Sequence, residues 1–356
     1  RDQPRSRGLG DVYKRQILTI GIDYRVVRGG VAAVENVYST FYQPFNHVTT
    51  TVTNGQVKKL LVLCKAIMQF LYWMLFHPEI KIVHVQGSVG ASFWRKAIFI
   101  YITKFFHKKV VWHMHAGRFA VFYQQHRYAV RKVVNKSDVI IALSEYWKEY
   151  FKNEFPTKRV EIIKNVISAP RVHKQQTGYF TLLFLGLLGK NKGIYDLLEC
   201  IRDHKVEFQG KLKLYIGGNG EIEHVKQLIK EYGIADITIF EGWVSGDKKI
   251  ELLNKSDAYI LPSYKEGLPI SILEAMSYGM PIISTPVGGI PEIVSNGENG
   301  YLVEPGNKED IYKAIISLLN DSDLRNRMGS VSLSRVGEHL PEYVEKQLET
   351  LYDSLL

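Results

Sequence analysis

The sequence predicts an α/β protein made of two doubly wound, Rossmann-like domains. Its 356 residues are too many for one ordinary core and about right for two α/β domains. Apolar runs of β character alternate with helix-length segments, and they do so twice. That is the pattern of parallel strands joined by crossover helices. Between the two sets lies 168–178 (SAPRVHKQQTG), which is polar, lacks a period and contains a proline and a glycine. It reads as an interdomain linker.

In the first set, strand 17–23 (ILTIGID) ends in a turn, and Arg28-Gly29-Gly30 leads into a helix over 31–41. Strand 80–87 is followed by a helix over 93–106. Strand 109–115 (KVVWHMH) ends at Ala116-Gly117, and a helix follows over 121–134. Strands 138–144 and 160–165 complete the set. In the second set, strands are expected at 180–186, 211–218, 237–242, 258–263 and 281–286. Helices over 194–204, 221–233, 247–256 and 271–279 connect them, and helical segments 309–319 and 341–355 finish the chain. Asp321-Ser322-Asp323 reads as a helix N-cap rather than a metal-binding pair. Residues 1–16 are charged and aperiodic, without an initiating Met or a secretory pattern, and read as a foreign or artefactual leader. The expected division is a first domain over 17–170, a second over 171–340, and a terminal helix over 341–356. Ligands in such sheets bind at the carboxyl ends of the strands, so two facing halves would line a shared cleft.

The longest apolar stretch is 60–76 (LLVLCKAIMQFLYWMLF), interrupted by Lys65 and Gln69. It is shorter than the ~20 residues of a bilayer span. Leu60, Cys64, Ile67, Leu71 and Leu75 recur at helical spacing, which predicts a core or interface-facing helix. The two cysteines, Cys64 and Cys200, lie far apart in apolar helical patterns and read as buried thiols. Without a disulfide framework or zinc spacing they fit a reducing compartment. The chain is therefore expected in the cytoplasm, either free or at the inner face of a bacterial membrane.

Charge is uneven. Residues 1–170 carry 26 Lys and Arg against 10 Asp and Glu; residues 171–356 carry 20 against 26. The basic half is expected to meet something anionic. The mixture of aromatics and cations at Phe93-Trp94-Arg95-Lys96 and from Phe105 to Lys109 suits peripheral docking on an anionic membrane. No basic motif or reader fold points to nucleic acid.

The chemistry concentrates at 261–306. Glu266 and Glu274 form an E-x7-E pair, with Gly267-Leu268-Pro269 making the turn into a helix that starts near Ile270 or Ser271. Glu266 therefore sits where free backbone N–H groups and the positive helix end favour a phosphate. Glu274, about one turn inside, can accept two hydrogen bonds from adjacent hydroxyls such as those of a ribose. Gly217-Gly218-Asn219-Gly220-Glu221 follows a strand and opens a helix, and its glycines let a ligand approach the backbone. No G-x-G-x-x-G with a downstream acid is present, which argues against a dinucleotide dehydrogenase. His113 and His115 share one face of their strand, but no third metal ligand lies near in sequence.

The block EGLPISILEAMSYGMPIISTPVGGIPEIV resembles the donor-binding signature of the retaining GT-B glycosyltransferases of family 4, group 1. That resemblance implies that Glu266 lies against the donor sugar and that Glu274 holds the nucleotide ribose. Gly186…Lys192-Gly193 resembles the segment in which an Arg and a Lys grip the pyrophosphate. Lys192 matches, whereas Leu187 stands at the usual Arg position, so that either Lys190 reaches in instead or Lys192 serves alone. Gly218 and Asn219 match the glycine turn at the nucleotide, and Gly242-Trp243-Val244 matches the segment near the base. Gly29 and Gly30 match the loop over the donor phosphates, and His115 matches a histidine near the sugar. The implied catalytic set is Glu266, Lys192 and His115. The implied donor-binding set is Gly29, Gly30, Lys190, Gly218, Asn219, Gly267, Leu268 and Glu274. No metal and no cofactor are expected, the nucleoside-diphosphate sugar being a substrate. The acceptor is expected to be a glycan or lipid-linked hydroxyl in cell-surface polysaccharide or glycolipid synthesis. The final helix is similar to one that crosses back onto the first domain. Two alternatives stand beside this one: a nucleotide-sugar epimerase of the same fold, and a nucleotide-sugar-binding protein impaired at Leu187.

Overall fold

The computed structural model describes residues 16–26, 29–51, 55–115, 117–175 and 177–356. The leader at 1–16 falls outside them except for Gln16. Its carbonyl accepts from the amides of Lys81 and Ile82 at 2.9 and 3.1 Å, so this residue is tied to the first sheet. The chain divides into two units: residues 1–167 with 341–356, and residues 168–340.

The first unit is a six-stranded parallel sheet in the order β2-β1-β3-β4-β5-β6. Its strands are β1 (Ile17–Gly21), β2 (His47–Thr49), β3 (Ile82–Gly87), β4 (Lys109–Met114), β5 (Val139–Ala142) and β6 (Arg159–Ile162). The three-residue β2 was too short to be read from the sequence. Helix α1 (Gly30–Phe41) links β1 to β2. The chain then reverses direction across the sheet and adds α2 (Gln56–Phe76), α3 (Ala91–Phe105), α4 (Phe119–Gln125), α5 (Arg127–Val134) and α6 (Glu145–Glu154). Right-handed crossovers place α1 on one face and α2 to α6 on the other. The core follows that split. Leu18, Ile20, Val83, Val85, Val110 and Trp112 pack with Phe70, Phe93, Phe99 and Phe151 on the α2–α6 side. The alternate residues His84 and His113 face the other side. The expected helix over 121–134 is two helices, because the chain turns at His126. Helix α6 was not expected; Ser144 caps it, its hydroxyl accepting from the Trp147 amide at 3.4 Å.

The second unit is also a six-stranded parallel sheet, ordered β12-β11-β10-β7-β8-β9. Its strands are β7 (Phe180–Leu185), β8 (Leu212–Gly217), β9 (Thr238–Gly242), β10 (Ala258–Leu261), β11 (Ile282–Ser284) and β12 (Gly300–Leu302). Counted within the unit this is the 3-2-1-4-5-6 order of a doubly wound nucleotide-binding sheet. The connecting helices are α7 (Ile194–Asp203), α8 (Lys205–Phe208), α9 (Ile222–Glu231), α10 (Gly246–Lys255) and α11 (Ile270–Ser277). Helices α12 (Lys308–Asn320) and α13 (Ser322–Arg335) follow. The Asp321 carboxylate accepts from the Leu324 amide at 2.8 Å, the cap read from the sequence.

The terminal helix α14 (Pro341–Asp353) belongs to the first unit, where it packs on α1. Val344, Leu348, Leu351 and Tyr352 form its buried stripe, at the spacing of one helix face. The Tyr352 hydroxyl lies 2.6 Å from His84 Nδ1.

Three expectations about the apolar stretch change. Helix α2 is longer than 60–76, and Val57–Phe76 is long and apolar enough to cross a membrane. Its buried side is Ala66, Phe70 and Met74, whereas Leu60 and Leu75 are exposed. Cys64 is exposed too, and only Cys200 is buried. Apolar side chains lie on most sides of the helix, and Lys58, Lys65 and Gln69, not the 60/64/67/71/75 spacing, mark the face turned away from the sheet. On α3, Phe93 and Lys96 point inward, with Lys96 donating to the Gln86 carbonyl. They therefore leave the expected docking patch, to which Trp94 and Phe105 still contribute exposed side chains.

Candidate active site

In the second unit the direction of winding reverses between β7 and β10, and ligands in such sheets bind at the carboxyl ends beside that reversal. The loops that leave these two strands carry Lys192 and Glu266. A single 3-10 turn, Lys190–Lys192, follows β7 and ends at Gly193. Gly193 has φ +68°, and a Cβ there would come within 2.0 Å of the Pro262 carbonyl oxygen, so the turn lies directly on the loop after β10. The Tyr264 amide donates to the Asn191 carbonyl at 2.9 Å and completes the join.

This join sets the central ion pair. Lys192 Nζ lies 2.5 Å from Glu266 Oε1, and the Ser263 hydroxyl donates to the same oxygen at 2.7 Å. Glu266 is buried, so the pairing offsets the cost of holding a carboxylate away from water. Gly267 and Leu268 continue to Pro269 and into α11, which begins at Ile270. Gly288 keeps φ +59° beneath this loop, and a Cβ there would meet the Glu266 carbonyl oxygen at 2.2 Å. The Gly289 amide donates to the Gly267 carbonyl at 2.7 Å. The Glu266 backbone is thus fixed from below, while the amides at the start of α11 keep their helix-end polarity.

Glu274 lies one turn into α11, and its Oε1 is 2.5 Å from Lys249 Nζ on α10. Both glutamates of the E-x7-E pair therefore hold a lysine. The glycine turn after β8 approaches from the other side of β7. Leu188 N donates to the Asn219 carbonyl at 2.6 Å, and Glu221 N to the Leu188 carbonyl at 3.0 Å. A Cβ on Gly218 would come within 1.9 Å of the Gly186 carbonyl oxygen, so this contact requires glycine. Leu187 is exposed beside Gly220, and Lys190 is exposed as well. Trp243 is 43% exposed, so it is not buried in the core.

The remaining expected residues lie in the first unit. His115 follows β4, half-buried, with Nε2 2.6 Å from Gln86 Oε1. Its ring lies 4.2 Å from that of His113, the shared face read from the sequence. His113 Nδ1 is 3.2 Å from His84 Nε2, and this makes a buried row that ends at Tyr352. Burial, aided by the neighbouring Lys96 charge, lowers His115 to about 3; burial and the His115 charge lower His84 to about 3 as well. Burial also lowers Lys96 to about 8. Gly29 caps α1 with φ +101°, and Gly30 begins that helix. Arg28 lies outside the described residues.

Residues 165–332, nearly the whole second unit, match the family described as Glycosyl transferases group 1. That segment, a little under half of the chain, is similar to this family. Among curated relatives, the N-acetyl-alpha-D-glucosaminyl L-malate synthase of Bacillus anthracis is 32% identical over 64% of this chain. The match spans 62% of that relative's own length, less than two thirds. An uncharacterized glycosyltransferase of Methanocaldococcus jannaschii is 27% identical over 77% of this chain and 76% of its own. Among solved structures, sucrose-phosphate synthase from Thermosynechococcus elongatus superposes with a TM-score of 0.78. The alignment covers 96% of this chain and 99% of that one at 16% identity. Anabaena HepE, solved with UDP and glucose, gives 0.74, covering 95% and 99% at 16% identity. These likenesses establish the GT-B fold class of two Rossmann-like units.

Within the matched segment, the structure gathers Lys192, Glu266, Gly267, Gly218 and Asn219 onto the loops after β7, β8 and β10. Three residues at or near the expected sites were not read from the sequence. Ser263 and Lys249 each hold one of the glutamates. Glu35, fully buried in α1, accepts from the Ile22 amide and lies 2.9 Å from His47 Nε2, so it pins the start of the loop that leads to Gly29. A lone acid within VAAVENVY is the one signal that would have singled it out.

Proposed function

We propose that this chain is a retaining glycosyltransferase. It moves a hexose-type sugar from a nucleoside-diphosphate sugar to a hydroxyl of a glycan or lipid-linked acceptor, in cell-surface polysaccharide or glycolipid synthesis. The observation that supports it most is the placement of Lys192, Glu266 and the start of α11 at the winding reversal of the second sheet. An ammonium and a helix N-terminus together favour a diphosphate. Glu274 supplies the acceptor for ribose hydroxyls.

In the transfer, the bond from the anomeric carbon to the diphosphate oxygen breaks and a bond to the acceptor oxygen forms on the same face of the sugar. The acceptor proton passes to an oxygen of the departing diphosphate. Lys192 and the loop amides take up the charge that develops there, a task best done by donors already in place. Glu266 orients Lys192 before the donor arrives and is close enough to the anion-binding loop to meet the sugar. No side chain has to be a covalent nucleophile, and neither a metal nor a cofactor enters the scheme.

The test is transfer from UDP-, GDP- and ADP-hexoses to a simple glycoside acceptor, with the anomeric configuration of the product read by NMR. One donor should give product of unchanged configuration, and Glu266→Gln should abolish it. An inverted product, or an altered nucleotide sugar formed without any acceptor, would overturn the proposal.

A further inference from the structure

We propose that α2 and α3 form a lipid-docking face, with α2 lying in the plane of an anionic membrane surface. The inference stands on the first unit alone and does not depend on the sugar-transfer reading. Helix α2 buries Ala66, Phe70 and Met74 against the core, yet its opposite side is equally apolar. Leu61, Met68, Tyr72, Leu75 and Phe76 are each at least half exposed, and only 17% of its most apolar window is buried. A soluble core helix would hide most of that surface. A transmembrane span is excluded by the buried side, because a helix packed onto a sheet cannot be surrounded by lipid.

The neighbouring helix extends the patch. Phe70 of α2 and Phe99 of α3 meet edge to face at 5.2 Å, which puts the two helices side by side. The outer stripe of α3 is Trp94, Ile98, Tyr101 and Phe105, spaced as one helix face and all exposed, Phe105 at 78%. Two adjacent outward helix faces are therefore apolar together.

Charge identifies the occupant. Residues 55–137 carry fourteen Lys and Arg and a single acid, Glu79. Lys58 and Lys65 are exposed along one edge of the apolar face of α2. An apolar face edged with cations and bearing Trp and Tyr is the composition of a helix that sits at the headgroup boundary of anionic lipid. A second copy of this chain would bring the same excess of positive charge to the contact, which like-charge repulsion opposes.

The test is flotation of the full chain with phosphatidylcholine vesicles containing phosphatidylglycerol. A polarity-sensitive fluorophore on Cys64 provides a second readout, since Cys64 is exposed on this face and Cys200 is buried. The protein should float with the vesicles, and the Cys64 probe should shift to the blue. The variant L61Q/M68Q/F76Q, with unchanged circular dichroism, should stay at the bottom. K58E and K65E should each weaken partitioning about fivefold. No flotation of the wild type, or flotation unaffected by the triple variant, would overturn the inference. So would a concentration-dependent dimer that the triple variant abolishes while vesicles go unbound. Donor binding by the second unit is measured separately, so failure here leaves the transfer proposal untouched.

Discussion

The two units share an architecture and treat polar chemistry in opposite ways. In the second unit the ion pairs of the expected site stand on the turns and helices that follow the strands. Lys192 with Glu266 and Lys249 with Glu274 are pairs of this kind, partly open to solvent. In the first unit the polar residues lie within the sheet. His84 and His113 are on β3 and β4, His115 follows directly, and Glu35 is wholly buried in α1. Desolvation keeps the buried histidines neutral. The winding also differs: the second sheet reverses between β7 and β10, the first between β1 and β3.

The sharpest way to break this contrast is to remove the loop charge. Lys192→Ala should lower turnover by about 10²–10³-fold, because it deletes a donor aimed at the leaving diphosphate. It also leaves Glu266 with Ser263 as its remaining side-chain partner here, so thermal unfolding of the variant should be measured alongside. Glu274→Ala should weaken nucleotide-sugar binding by about 10- to 100-fold, read by calorimetry, through loss of hydrogen bonds to a charged acceptor.

The buried row gives a pH prediction of definite sign. Burial holds His84 near 3, while in the unfolded chain it titrates near its ordinary 6.5. Below 6.5 the unfolded state binds a proton that the native state refuses. Stability conferred by the neutral ring is therefore complete above 6.5 and declines as pH falls toward 3, by about 1.4 kcal/mol per pH unit. Denaturant unfolding between pH 7 and 4 should show this slope, and His84→Gln should reduce it by one histidine's share. A slope unchanged by that substitution would remove His84 as its source.

How much was legible in the sequence follows from the same contrast. Loop chemistry is local: EGLPISILEAMSYG places Glu266, Gly267, Leu268 and Glu274 in consecutive turns, and the helix expected from near Ile270 or Ser271 begins at Ile270. Most strands were readable as well, because parallel strands buried on both faces are continuous apolar runs. The partners were not readable. Lys249 reaches Glu274 across two elements, and His84 meets Tyr352 from the far end of the chain. Only the sheet order brings them together. The orientation of α2 was harder to read for a different reason, since apolar side chains dominate the helix and only Lys58, Lys65 and Gln69 mark its exposed side.

Leu187 sharpens the comparison from the loop side. It is exposed beside the glycine turn, where an arginine side chain has room to extend. Leu187→Arg should raise turnover roughly tenfold by adding a cation at the leaving diphosphate. Unchanged turnover would mean that Lys192 and the helix end already suffice. Excess EDTA should have no effect on the rate, the smallest change expected, and a loss of activity would show that a metal takes part.

The measurement that tests the central claim most directly is calorimetric titration of UDP, GDP, ADP and their hexose derivatives into the wild type, Lys192→Ala and Glu274→Ala. One nucleotide sugar should bind the wild type and lose affinity in both variants, with Lys192→Ala losing more for the diphosphate than for the nucleoside. Binding that survives both substitutions, or none to any of these nucleotides, would contradict a donor site on the loops after β7 and β10.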